Sequence, residues 1–137
     1  MIFRIKKLYI CISWYFLIML GWVILTHKIQ SFLLCLLALM IHEMGHISMI
    51  LVLKEQISIF YILPFGFSCR LKNQNQILNK KMIEILLAGP VASIVTSVLF
   101  LWTKEFALAN FIIGLFNLLP ISSLDGGRIV KIIDNSK

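Results

Sequence analysis

Ser31–Leu53 reads SFLLCLLALMIHEMGHISMILVL, an apolar run interrupted only by His42, Glu43 and His46 and by a few small polar residues. A helix needs about 20 such residues to cross a bilayer, and this stretch supplies them. An ionised side chain at the centre of a membrane helix costs about 2.5 to 3.5 kcal/mol on the insertion scale, so ionisable groups there mark a working site. Helical residues four apart have Cβ atoms about 5 to 6 Å from one another, which lets His42 and His46 reach one metal ion together. Glu43 is turned by about 100° from His42 and stands beside such an ion, where it can take a proton from a water. His42-Glu43-Met44-Gly45-His46 thus has the HExxH form, two histidines for zinc and a glutamate for general base catalysis.

A catalytic zinc takes about three protein ligands and keeps one position open for water, so a third ligand must come from elsewhere. Cys35 precedes His42 by two turns, about 10 Å along the axis, and reads as a packed hydrophobe. His27 adjoins Lys28 in a polar linker and reads as solvated, Cys11 lies in a separate apolar segment, and Cys69 in a polar loop. Glu84 opens a later apolar segment, and Glu55, Glu105 and Asp134 belong to polar connections. Asp125 remains, in NLLPISSLDGGR from Asn117 to Arg128. Pro120 ends or kinks the helix before it, and Gly126 and Gly127 relax the backbone after it. A broken helix at membrane depth is tolerated where it is buried in protein or lines a wet cavity, a fitting place for a ligating aspartate. The competing reading of Asp-Gly-Gly is an ordinary turn.

His42-Glu43-x-x-His46 followed by Asn117-x-x-Pro120-x-x-x-x-Asp125-Gly126, with Ala88-Gly89-Pro90 between them, resembles the site-2 protease family of intramembrane metalloproteases, in its compact bacterial branch. The resemblance runs from about Ser31 to Ile133 and implies one zinc ion held by His42, His46 and Asp125, with Glu43 activating the water. Asn117, Pro120 and Gly126 occupy family motif positions and are candidates for substrate binding or structural support. For Asn117 the alternative is a hydrogen bond between helices, worth about 0.6 to 2 kcal/mol. The family also implies a cell-membrane location in a bacterium and a membrane-associated protein as substrate, and it leaves open a regulatory membrane partner.

Composition agrees on its own terms. Of 137 residues, 60% are hydrophobic and 14% charged, more apolar surface than a soluble domain of this size can bury. The expected fold class is an all-α multi-pass membrane protein, a single domain of about four segments over residues 8–25, 31–53, 82–102 and 106–125, the last irregular toward Asp125. No PDZ or CBS domain is expected. The first segment follows Arg4, Lys6 and Lys7 as a signal peptide would, but its apolar part exceeds about 15 residues and no small-residue cleavage site follows, so a retained helix is expected.

With the N-terminus cytoplasmic, Arg4, Lys6, Lys7, Lys54, Arg70, Lys72, Lys80, Lys81, Arg128, Lys131 and Lys137 fall inside, and only Lys28 and Lys104 outside. The net charge of +7 is therefore a topology signal, and nucleic-acid binding, which needs a soluble basic face, is excluded as a partner class. Both termini are expected in the cytoplasm and the metal site in the cytoplasmic half of the membrane. Residues 57–67, ISIFYILPFGF, are too short to span as a helix and rich in strand formers around a Pro-Phe-Gly turn. They read either as a short re-entrant β-hairpin offering an edge to extended substrate, or as an interfacial aromatic anchor. Residues 68–81 read as a polar cytoplasmic loop. The expected activity is zinc-dependent cleavage of a peptide bond within or beside a membrane segment. A zinc transporter would string polar residues through the whole depth, and an idle partner subunit would have no use for Glu43.

Overall fold

The structure, a computed structural model, describes residues 2–5, 8–12, 29–55, 57–63, 66–71 and 78–135. The decisive apolar stretch forms helix α1 (Ile29–Val52), 24 residues long, or about 36 Å at 1.5 Å per residue. Helix α2 (Asn79–Leu99) has 21 residues, and these two are long and apolar enough to cross a membrane of about 30 Å. Helix α3 (Lys104–Asn117), of 14 residues, and helix α4 (Asp125–Asp134), of 10, are each shorter than a span. Between them, Leu118–Leu124 is not helical, as Pro120 would dictate. A regular helix opening at Asp125 is a finding the sequence reading did not contain.

The all-α expectation needs correction. Strands β1 (Ile2–Ile5), β2 (Leu8–Ile12), β3 (Ile57–Leu63) and β4 (Gly66–Leu71) form one sheet in that order. β1 pairs antiparallel with β2, β2 parallel with β3, and β3 antiparallel with β4. Leu8–Ile12 is thus a strand, where a membrane helix was expected from residue 8, and residues 13–25 of that segment lie outside the described residues. Leu8-Tyr9-Ile10-Cys11-Ile12 is rich in β-branched and aromatic side chains, and β3 supplies the backbone partner that makes the extended form favourable. Ser68–Leu71, expected in a loop, belongs to β4. Within the 57–67 segment, the turn residues Pro64 and Phe65 lie outside the described residues.

Helices α1, α2 and α3 pack against one another, and α4 packs on α2. Their polarity is inverted relative to a water-soluble bundle. His42, Ser93, Ser97, Asn110 and Asp125 are buried, whereas Leu33, Leu37, Met44, Val91, Val95, Val98, Leu108, Ile112 and Leu115 are exposed. Such an outer face suits hydrocarbon, and an inner polar seam is what a membrane bundle needs to satisfy its own polar groups. Close packing follows from small residues: a Cβ on Gly45 would come within 2.5 Å of the Ala88 carbonyl oxygen and 2.8 Å of the Ala92 Cβ. Beyond this seam Lys81 and Glu55 pair at 3.0 Å where the loop side of α1 meets the start of α2.

Gly45→Val should therefore force α1 and α2 apart and cost about 1 to 3 kcal/mol, while Met44→Val on the exposed side should change stability by less than about 0.5 kcal/mol. Thermal unfolding in detergent distinguishes them, and equal midpoints would contradict the packing described.

Candidate metal centre

The site begins with α1, whose periodicity sets His42 and His46 one turn apart with ring centroids 4.9 Å from each other and planes at 82°. Asp125 arrives from the other end of the chain as the first residue of α4, after an extended Leu124. Two glycines permit that arrival. A Cβ on Gly126 would strike the Leu118 carbonyl, and one on Gly127 the Ile121 carbonyl, so only bare backbone lets the 118–124 connection fold against the start of α4. Backbone bonds from Ile121 N–H to Leu119 and from Leu124 N–H to Ile121, both 2.8 Å, hold the connection in shape.

The three side chains meet at one point. His42 Nε2 lies 3.1 Å and His46 Nε2 3.2 Å from Asp125 Oδ2, and the two Nε2 atoms are 3.2 Å apart. Tetrahedral ligands at about 2.0 to 2.1 Å from a zinc ion stand about 3.3 to 3.4 Å from one another, close to the triangle observed. The far sides of the rings explain why the near sides converge. His46 Nδ1 is 2.7 Å from the Ile85 carbonyl, which can only accept, so this nitrogen carries the proton and Nε2 of the neutral ring carries a lone pair. His42 Nδ1 is 3.1 Å from Ser93 Oγ. Two imidazole nitrogens and a carboxylate oxygen, all electron-rich, are thereby pressed together away from water. A cation between them turns that repulsion into attraction, so the donor set fits a divalent metal.

His42, His46 and Asp125 are a group able to hold a metal among the described residues, and all three are buried or nearly so. Glu43 is half-buried, one residue on from His42 and outside the ligating triangle. Cys35 is exposed on α1, Glu55 is bound to Lys81, and Glu105 and Asp134 are exposed. Glu84 is half-buried on α2 and outside the group. His27 lies outside the described residues, and Cys11 and Cys69 are placed only as strand positions. Asn117 donates one hydrogen of its amide nitrogen within its own helix, to the Ile113 carbonyl at 2.9 Å, and not across helices as weighed for it. Pro120 is exposed in the connection, and Gly126 is buried against it.

Two further residues, Ser93 and Asn110, have no role in the sequence analysis, and Gly89 appears there only within the Ala88-Gly89-Pro90 motif. Ser93 touches His42, and Gly89 faces the His46 ring so closely that any Cβ there would collide with the imidazole. Asn110, 0% exposed, gives its Nδ2 to the Phe106 carbonyl at 2.9 Å, and its Oδ1 has no hydrogen-bond partner. A signal existed for the two polar ones, since Ser and Asn inside apolar membrane segments tend to face the protein interior.

No family model matches the chain. Its sequence is similar to stage IV sporulation protein FB of Bacillus subtilis, 30% identical over 121 residues that cover 80% of this chain and 42% of that protein. It is also similar to zinc metalloprotease MJ0392 of Methanocaldococcus jannaschii, 25% identical over 96% of this chain and 43% of that protein. The chain therefore spans about two fifths of the length of these curated relatives. In fold it is similar to the solved site-2 protease from Methanocaldococcus jannaschii, with a TM-score of 0.77, 24% identity, and coverage of 98% of this chain and 71% of that one.

Gly89→Ala should push the His46 ring off its place and lower metal content in the purified protein about as far as His46→Ala does. Asp125→Ala should do the same, while Glu84→Ala and Glu105→Ala should leave it near the parent value. Elemental analysis reads all five, and full occupancy without Asp125 would remove it from the site.

Proposed function

Because the chain belongs to the site-2 protease family, we propose that it is an intramembrane zinc metalloprotease that hydrolyses a peptide bond in or beside a transmembrane segment of a membrane-associated protein. The observation that carries this reading is the buried triangle of His42 Nε2, His46 Nε2 and Asp125 Oδ2, with the sides between 3.1 and 3.2 Å. A bound zinc ion would polarise the scissile carbonyl and lower the pKa of its water toward about 7. Glu43 takes the proton as the water attacks and passes it to the leaving amine. His42 and His46, held through Nδ1 by Ser93 and Ile85, keep their Nε2 lone pairs aimed at one point, and Asp125 adds a negative charge there. A substrate helix hides its amides in hydrogen bonds, so it must unwind before attack, and helix-breaking residues near the cut should favour it.

The orientation we propose has both termini in the cytoplasm, with four segments and the 57–67 hairpin re-entering from that side. The parallel pairing of β2 with β3 supports it, since residues 8–12 and 57–63 then lie on one side, and with them Arg4 of β1 and Arg70 of β4. His42 and His46 sit in the second half of α1, which runs inward in this arrangement, and Asp125 follows α3, whose direction is the same. The cut should then fall near the cytoplasmic border of the substrate, and the released piece should enter the cytoplasm. A membrane-held regulatory protein suits that geometry. Asn117, Pro120 and Gly126 shape the connection that delivers Asp125. A transporter is the less economical reading, because the ionisable groups at depth are gathered in one cluster and not spread along a path.

Glu43→Gln should retain bound zinc and membrane insertion yet lose proteolysis of a model substrate by about 100-fold or more, since it removes the base and spares the ligands. Unchanged cleavage would sink the mechanism. In a variant whose one cysteine is Cys69, a membrane-impermeant thiol reagent should label from the cytoplasmic side, and the new terminus of the cleaved substrate should map to its cytoplasmic border. Labelling only from outside would reverse the topology.

A further inference from the structure

Among the polar groups of the inner seam, Ser93 on α2 is 0% exposed and places its Oγ 3.1 Å from His42 Nδ1. The two histidines are thus held from behind by different means. His46 leans on a backbone carbonyl, Ile85, that no substitution removes, whereas His42 depends on one replaceable side chain. For His42 to present a lone pair at Nε2 toward Asp125, its proton must sit on Nδ1, and a buried Nδ1–H needs an acceptor. Ser93 Oγ is the acceptor within reach.

We infer that Ser93 is a positioning residue for the metal centre: it accepts the His42 Nδ1–H, fixes the tautomer and ring plane, and so raises the affinity of the His42, His46 and Asp125 set for zinc. The inference rests on the zinc reading proposed above. Outer partners of metal-bound histidines commonly change metal affinity by about 10- to 100-fold when removed. The seat of Ser93 is narrow: a Cβ on Gly114 of α3 would lie 3.1 Å from the Ser93 Cβ and 3.1 Å from the Pro90 carbonyl oxygen. α3 therefore presses Ser93 from one side while α1 brings His42 to the other, and Oγ has little freedom to turn elsewhere. Ser97, one turn further along α2 and also buried, makes the natural comparison because it has the same size and chemistry, while the hydrogen bonds of the two histidines go to other residues.

The test uses the full chain in detergent with zinc as the only ligand. Zinc affinity is measured by competition with a chromophoric chelator, and histidines labelled at the ring nitrogens report the Nδ1–H signals by NMR. Ser93→Ala and Ser93→Cys, the latter near in size but a weak acceptor, should each bind zinc about 10-fold or more less tightly. The His42 Nδ1–H signal should shift or vanish while that of His46, held by Ile85, stays, and Ser97→Ala should match the parent in both readouts. Should Ser93→Ala fail to insert, Ser93→Cys carries the comparison. Parent-like zinc affinity and an unmoved His42 signal in Ser93→Cys would overturn the inference while leaving the metal site intact. A parent protein that binds no zinc would overturn the metal reading itself, and this inference with it.

Discussion

The constraint on which the rest depends is that hydrocarbon offers no hydrogen bonds, so each polar atom carried into it must find its partner inside the protein. His42 meets this demand at Nδ1 with Ser93 and His46 at Nδ1 with Ile85, which leaves both Nε2 lone pairs turned toward Asp125. The same demand explains the small residues. Gly45 and Gly89 bring α1 and α2 close enough for a histidine on one helix to reach a carbonyl or hydroxyl on the other, and Gly126 and Gly127 let the third side chain of the cluster, Asp125, enter from a bent connection. Site and fold are in this sense one structure: the glycines needed for packing are those that shape the cluster.

Energetically the cluster is a cost that other contacts must offset. Three electron-rich atoms within 3.2 Å of one another, shielded from water, raise the free energy of the folded chain unless positive charge lies among them. The surrounding α1–α2–α3 packing, apolar outward and tightly fitted inward, supplies the stability that tolerates this arrangement.

Much of the centre was legible from sequence because its chemistry is local. His42 and His46 are joined by helical periodicity alone, and their setting in an apolar run marks them as functional. Asp125 was pointed to as a ligand by the resemblance to the site-2 protease family, its Asp-Gly-Gly setting reading alone as well as a turn, and the short helix it opens was not legible. Ser93 was not found, and Gly89 was seen only as a motif position, because their contacts with His42 and His46 lie in the register between α1 and α2, which no single-chain periodicity encodes. Leu8–Ile12 misled for a related reason. Its composition suits a membrane helix and a strand equally, and the choice is made by β3, far along the sequence. Asn117 shows the reverse case, where a residue weighed for substrate support or an interhelical bond instead donates one turn back to the Ile113 carbonyl.

The seven residues from Leu118 to Leu124 divide the centre into unequal parts. Two donors ride on α1, packed against α2 by glycine contact; the third follows a non-helical link held by its own backbone bonds and by Gly126 and Gly127. The position of the carboxylate relative to the imidazoles is therefore set by the fold of that link, and that of the imidazoles by the helix pair. A metal held there would join a carboxylate carried by the connection to two imidazoles carried by α1, so its binding would tie the two ends of the chain together.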